Sequence, residues 1–108
     1  MKAMISQPMN GKTDDEIITT RDKAIKILES KGYEVINTFF EDEWCADGVL
    51  ENNGIVNKPL WFLAKSLEKM SECEAIYFCK GWENTRGCSI EHSTAFAYGL
   101  KIIYEEEE

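Results

Sequence analysis

The chain has 108 residues, of which 44% are hydrophobic and 30% are charged, and its net charge is −8 at pH 7. This length supports one domain around a single core and leaves no room for a second domain. The negative charge argues against nucleic acid and against an anionic membrane as partners. Because there is neither a long apolar run nor a basic leader, we expect a cytoplasmic protein.

The cysteines and the single histidine argue against a metal site. The four cysteines contain no Cys-x-x-Cys pair and lie at positions 45, 73, 79 and 88, and the histidine is His92. Such spacing indicates free thiols in a reducing compartment rather than zinc ligands or disulfides. We therefore expect neither a metal nor another cofactor.

The first half of the chain predicts a strand, a helix and a second strand. Lys2 to Ser6 is a short apolar strand, and Thr13 with Glu16 forms a capping box that opens a helix running to about Lys31. Gly32 ends this helix, and a second strand is expected from Tyr33 to Asn37. The connection over residues 38 to 58 has no clear pattern.

The second half repeats the alternation of helix and strand. We predict a helix from Pro59 to near Ser71, a strand from Ala75 to Cys79, a helix from Ser89 to Gly99 and a last strand from Leu100 to Tyr104. Strands separated by helices require right-handed parallel crossovers. The sequence therefore predicts an α/β domain over residues 1–108, with a doubly wound parallel sheet of about four strands and helices on both faces. Ligands of such sheets bind beyond the carboxyl ends of the strands.

The loop after the first strand is the first candidate binding segment. It reads "ISQPMNGKT" and ends like a phosphate-binding P-loop, but Ser6 stands where that motif needs its first glycine, and Pro8 removes one backbone amide. The strand at 75 to 79 also lacks the metal-binding aspartate of such enzymes. An anion site formed by helix amides and Lys12 is the reading we retain, with a plain turn as the alternative.

The stretch "GWENTRGCSIEHSTAFAYG" is the second candidate. Glu91 is expected in the first turn of the last helix, where the helix dipole would lower its pKa and suit it to act as a nucleophile. The alternative is that Glu91 only helps to start its helix. Trp82, in a loop bracketed by Gly81 and Gly87, could stack on a planar base or simply pack.

Arg21 is a candidate partner for these groups. It falls near the centre of the apolar stripe of the first helix. It either holds Glu91 or a ligand anion, or makes a structural ion pair.

The two segments together resemble the nucleoside 2-deoxyribosyltransferase-like superfamily. The similarity rests on "ISQPMNGKTDDEI" and on Gly-x-x-x-Glu followed by small residues, here Gly87, Glu91, Ala95 and Gly99. It implies a flavodoxin-like (Rossmann-like) fold and a glutamate at the place of Glu91 that attacks the anomeric carbon of a 2-deoxyribosyl group. For relatives that act on 5′-monophosphates, it also implies a phosphate site in the first loop, here Ser6, Gln7, Pro8, Met9, Gly11 and Lys12.

The resemblance leaves the acid catalyst open. Such enzymes carry an aspartate beside the central strand, where this chain has Glu72 and Glu74, and Glu83 is a third possibility. We take Glu74 as the acid, and expect the substrate-binding set to include Arg21, Gly81, Trp82, Asn84 and Gly87. The chain also lacks the C-terminal segment with which the transferases complete a neighbouring site, so hydrolysis is favoured over base exchange.

The function expected from the sequence is cleavage or transfer at the N-glycosidic bond of a deoxynucleoside or its 5′-monophosphate. A nucleotide-binding module without catalysis and a structural domain without a ligand are the alternatives. A homo-oligomer is expected, because a sheet this small leaves edges and helix faces to cover.

Overall fold

The computed structural model describes residues 1–8, 11–36 and 54–105. In chain order its elements are β1 (Lys2–Ser6), α1 (Asp14–Ser30), β2 (Glu34–Val35), α2 (Lys58–Met70), β3 (Ala75–Phe78), a 3₁₀ turn (Trp82–Asn84), α3 (Arg86–Ala97) and β4 (Lys101–Tyr104). Met9, Cys45, the end of the second predicted strand and most of the connection over 38 to 58 lie outside the described residues.

The four strands form one parallel sheet in the order β2-β1-β3-β4. Ala3 of β1 lies opposite Ala75 of β3, which in turn lies opposite Lys101 of β4. The two central strands are buried on both faces, as expected of a parallel sheet with helices on either side. The predicted α/β fold with a small parallel sheet is therefore confirmed.

Local sequence signals set the bounds of α1. The Thr13 side chain accepts a hydrogen bond from the Glu16 backbone N–H at 3.2 Å, and the Glu16 side chain accepts one from the Thr13 backbone in return. At the other end Gly32 adopts a φ of 88°, a conformation that favours glycine. The capping box and the terminal glycine thus begin and end the helix within one residue of the predicted positions.

Side chains of alternate strand residues build two cores, one on each face of the sheet. On one face Ala3, Ile5, Ala75 and Tyr77 pack against Ala24 and Leu28 of α1. On the other face Met4, Ile76 and Phe78 pack against Met70 of α2 and Ala95 of α3. Among the described residues, one helix therefore covers the first face and two helices cover the second.

The last helix begins earlier than the sequence predicts. It starts at Arg86 rather than Ser89, because Thr85 is still extended, with φ −115° and ψ 123°, and the 3₁₀ turn closes just before it. Glu91 is therefore in the second turn of α3, whereas we expected it in the first. The helix ends at Ala97, two residues before the predicted Gly99.

The packing of α1 gives a direct stability test. Leu28 is fully buried between α1 and the sheet, so Leu28→Ala should lower the free energy of unfolding by about 2–5 kcal/mol. Ile18 on the same helix is 54% exposed, and Ile18→Ala should change it by less than about 1 kcal/mol. Urea unfolding followed by circular dichroism measures both, and equal losses would contradict the assigned orientation of α1.

Candidate functional site

A buried carboxylate lies where the first strand ends. Glu91 of α3 is only 7% exposed, and its Oε1 accepts a hydrogen bond of 2.9 Å from the Ser6 hydroxyl at the end of β1. The Ser66 side chain of α2 lies close enough to favour the ionised form of the same carboxyl group and so to lower its pKa. Three elements distant in sequence therefore converge on one acid.

The surroundings of Glu91 raise its pKa. Burial, the largest effect, raises the pKa to about 7, and the side chains of Ser6 and Ser66 oppose the rise. This corrects the expectation of a lowered pKa. The reason is that Glu91 lies in the second turn and out of water, so desolvation outweighs any benefit from the helix dipole.

Two buried thiols adjoin the Ser6–Glu91 pair. Cys88, one turn before Glu91 on α3, is hydrogen-bonded with the Ser6 side chain, and burial raises its pKa. Burial also raises the pKa of Cys79, which follows β3, to about 12. Both groups are neutral thiols at pH 7 and are therefore poor nucleophiles.

The predicted cations lie near the same edge but act on a different group. Arg21 is half-buried, Lys12 is exposed, and both favour the ionised form of the Cys79 thiol. Burial lowers the pKa of Arg21 itself. The groups that favour ionised Glu91 are instead the hydroxyls of Ser6 and Ser66, so the predicted contact between Arg21 and Glu91 is not what stabilises the carboxylate.

The first loop is held by contacts with α1 and with the loop after β3. The Gln7 side-chain amide donates a hydrogen bond of 2.7 Å to the carbonyl of Ile17. Pro8 is buried, and its Cγ lies 3.7 Å from where a Cβ on Gly81 would stand. Gly81 and Gly11 adopt φ values of 89° and 77°, which suit glycine at both turns. The structure therefore brings the loops after β1 and β3 together, as their predicted role requires.

Trp82 is engaged in an aromatic stack. Its ring lies 4.0 Å from the ring of His92 and is inclined to it by only 15°, and Tyr104 flanks it at 6.0 Å. One face of the indole is therefore covered, and the Phe78 ring also lies 5.4 Å from it at an inclination of 52°. Asn84, in the same 3₁₀ turn, is exposed.

A cavity of about 290 Å³ opens between the first turns of α2 and α3. Its lining includes Leu63 and Gly87, which lie one helical turn before Ser66 and Glu91 respectively. The remaining lining residues are Asn57, Pro59, Leu60, Arg86 and Ile90. The cavity thus lies one helical turn from Glu91, which does not itself line it, at the carboxyl edge of the sheet, where parallel α/β proteins bind ligands.

A larger cavity, of about 450 Å³, lies at the opposite edge of the sheet. It is lined by residues from the last turns of α2 and α3, among them Met70 and Tyr98. We assign the candidate site to the smaller cavity, because Gly87 lines it and the first turns of α2 and α3 place it at the carboxyl edge.

Sequence reasoning missed several of these residues. Ser66, Arg86 and Cys88 belong to no local motif. The one signal for Cys88 was its position beside Gly87, about one helical turn before Glu91.

The structure does not bring Glu74 and Glu91 together. Glu74 precedes β3, is exposed, and accepts a hydrogen bond from the Lys2 backbone at the amino edge of the sheet. Four strand residues separate Glu74 from the carboxyl edge, a distance of about 13 Å along the strand. Glu72 lies at the same amino edge in an ion pair with Lys69 at 3.6 Å, whereas Glu83 is in the 3₁₀ turn at the carboxyl edge.

Within residues 1–8, 11–36 and 54–105, no group of three or more histidine, cysteine, aspartate or glutamate side chains is arranged to hold a metal ion. No helix in that part of the chain has both the length and the apolar character to cross a membrane.

The raised pKa of Glu91 predicts how stability depends on pH. A carboxyl whose pKa rises from 4.5 in the unfolded chain to about 7 in the fold binds more protons when folded. Stability is therefore greatest below about pH 4.5 on this account and falls as the pH rises to about 7, by about 3 kcal/mol in all. In Glu91→Gln this part of the pH dependence should vanish.

Urea unfolding at a series of pH values measures this effect. Glu29→Gln, on the exposed side of α1, is the matched control and should keep the slope of the natural chain. A slope unchanged in Glu91→Gln would contradict the raised pKa.

Comparison with known proteins identifies a family but no close relative. No curated protein and no solved structure matches the chain. A family model described as a domain of unknown function, DUF4406, matches residues 1–104. The match includes β1, Ser6, Glu91 and β4, and so spans the whole sheet and the candidate site. The chain therefore belongs to the DUF4406 family.

Proposed function

We propose that this protein cleaves the N-glycosidic bond of a deoxynucleoside or a deoxynucleoside 5′-monophosphate, with Glu91 as the nucleophile. The observation that carries the proposal is the buried Glu91 carboxyl, which accepts a hydrogen bond from the Ser6 hydroxyl and lies one helical turn from a cavity at the carboxyl edge. A pKa near 7 leaves a useful fraction ionised at neutral pH. The resemblance to the nucleoside 2-deoxyribosyltransferase-like superfamily supports the same role.

The reaction proceeds in two displacements at one carbon. A Glu91 oxygen bonds to C1′ of the sugar as the C1′–N bond breaks, and the bonding electrons leave with the base, which takes up a proton. Water then attacks C1′, releases the carboxylate and frees the sugar. An acceptor base in place of that water would give transfer instead of hydrolysis.

The neighbouring groups have separate tasks in this scheme. Ser6 and Ser66 hold the Glu91 carboxylate and stabilise it again when it leaves. Of Glu72, Glu74 and Glu83, only Glu83 lies at the carboxyl edge. We therefore assign to Glu83 the role of donating a proton to the leaving base.

The lining of the cavity fits a nucleoside. Leu60, Leu63 and Ile90 provide apolar walls for a planar base. Arg86 in the cavity, together with Lys12 and Arg21 near the first loop, provides positive charge for a 5′-phosphate.

The first test of this function is base release. Each deoxynucleoside and each 5′-monophosphate is incubated with the protein, and free base is measured by chromatography. The natural chain and Glu29→Gln should release base, whereas Glu91→Gln should release none, because an amide cannot replace the carboxylate as nucleophile. Glu83→Gln should retain binding but release base more slowly.

Absence of base release, even with an acceptor base added, would contradict the catalytic proposal. Equilibrium dialysis with the same nucleotides then separates the two alternatives. Nucleotide binding that survives in Glu91→Gln would indicate a nucleotide-binding module. Absence of nucleotide binding by both proteins would indicate a domain without a small ligand.

The pH profile of base release distinguishes a nucleophile from an acid. A nucleophilic Glu91 must be ionised, so kcat/KM should rise with pH through about 7 and then level off. Ser6→Ala removes a hydrogen bond that favours the ionised form, so the midpoint should move to higher pH. A rate that instead falls as the pH rises through 7 would show that Glu91 acts as the acid.

A further inference from the structure

Strand β4 leaves one side of the sheet open. Within the described residues it pairs only with β3, as the last strand in the order β2-β1-β3-β4. The backbone N–H groups of Lys101 and Glu105 donate to carbonyls of Glu74 and of Phe78. In a parallel ladder alternate residues bond to the same neighbour, so Ile103 also faces β3. Ile102 and Tyr104 therefore direct their N–H and C=O groups outward.

Apolar surface borders this edge on the side of α3. Tyr104 is 48% exposed and Phe96 is 78% exposed. His92 lies beside the Tyr104 hydroxyl at 2.6 Å, and Phe96 follows His92 by one helical turn. Phe96 therefore lies on the flank of α3 that faces β4.

A cavity of about 280 Å³ borders the same edge on the side of α1. Ile27, Tyr77 and Ile103 form its apolar part, and Lys23 and Lys31 add positive charge. Exposed apolar surface next to an unpaired strand is a feature that proteins either protect or use for association.

We propose that a second copy of this chain pairs with β4 in antiparallel orientation, about a two-fold axis at Ile103. The two four-stranded sheets then join into one of eight strands. In this register Ile102 forms a hydrogen-bonded pair with Tyr104 of the partner subunit. Ile103 faces Ile103 of the partner subunit. Both pairs are apolar, and such a contact between identical surfaces closes as a dimer.

The charges favour this register and orientation. With the axis at Ile103, Lys101 lies directly opposite Glu105 of the partner subunit. A parallel partner in the same register would instead place Lys101 beside Lys101 of the partner subunit and Glu105 beside Glu105 of the partner subunit, which like charges disfavour.

Sedimentation of the full chain tests the interface. The natural chain should be a dimer, and Ile102→Pro should be a monomer at the same concentration, because proline removes an outward N–H that the fold itself does not use. Ile102→Ala is the matched control: it loses the same side chain but keeps the N–H, and it should remain a dimer. Circular dichroism verifies that each variant is folded.

A charge exchange tests the register without relying on proline. Lys101→Glu should weaken the dimer at least tenfold, since the new carboxylate would face Glu105 of the partner subunit, and adding Glu105→Lys should restore much of the loss. Lys26→Glu makes the same charge change on the exposed outer side of α1 and should have no effect. A monomeric natural chain, or a dimer insensitive to both Ile102→Pro and Lys101→Glu, would overturn the proposal.

A cysteine placed on the two-fold axis gives the sharpest geometric test. Facing residues of a non-hydrogen-bonded antiparallel pair have Cα atoms about 4.5 Å apart, close enough for a disulfide. Treatment with diamide, which is reduced as the two thiols are oxidised, should therefore link Ile103→Cys into a covalent dimer. Ile102→Cys and the natural chain, which measures the contribution of the native thiols, should form far less. Equal cross-linking of all three proteins would show that the copies associate through another surface. Binding of an unrelated extended peptide in place of a second copy would likewise contradict the proposed dimer.

Discussion

The contact between Ser6 and Glu91 depends on the parallel register of β1 and β3. Ser6 lies opposite Phe78 at the last rung of the β1–β3 ladder, and its side chain points to the face covered by α2 and α3. A slip of one residue would turn every β1 side chain to the other face of the sheet. Glu91 would then lose a donor while remaining buried, and an unsatisfied buried carboxylate is among the costliest defects in a fold. Fold and site are therefore specified together.

Burial and the choice of partners together explain the chemistry of Glu91. Burial raises the pKa of its carboxyl group, and the side chains that oppose the rise, Ser6 and Ser66, are neutral, so no dominant counter-charge offsets the loss of water. A cation in contact would have held the pKa low and the carboxylate tightly paired. Arg21 and Lys12 instead act on Cys79, which packs in the core on the α1 face of the sheet. These two cations thus favour an ionised Cys79 thiol rather than the Glu91 carboxylate.

Local sequence signals predicted the architecture because each acts within a few residues. The capping box at Thr13 and the alternating strands specify elements and their order, and the parallel sheet follows from chain connectivity. The pKa of Glu91 could not be predicted in the same way. It depends on Ser6, 85 residues away, and on Ser66, which reaches the carboxyl only after α2 and α3 pack. Glu74 was misplaced for a related reason: proximity to a strand in sequence does not say at which end of the sheet a side chain lies.

The aromatic stack of Trp82, His92 and Tyr104 stands between the two functional regions. Trp82 follows β3 at the carboxyl edge, whereas Tyr104 is an outward residue of β4 and part of the proposed dimer surface. A partner that covers Tyr104 would restrain His92 through the contact between the two side chains, and through His92 it would restrain the indole of Trp82. Ser6 would remain uncovered by such a partner, because β3 separates β4 from β1. Association along β4 would therefore act on the loop after β3 through Trp82, without contact to the Ser6–Glu91 pair.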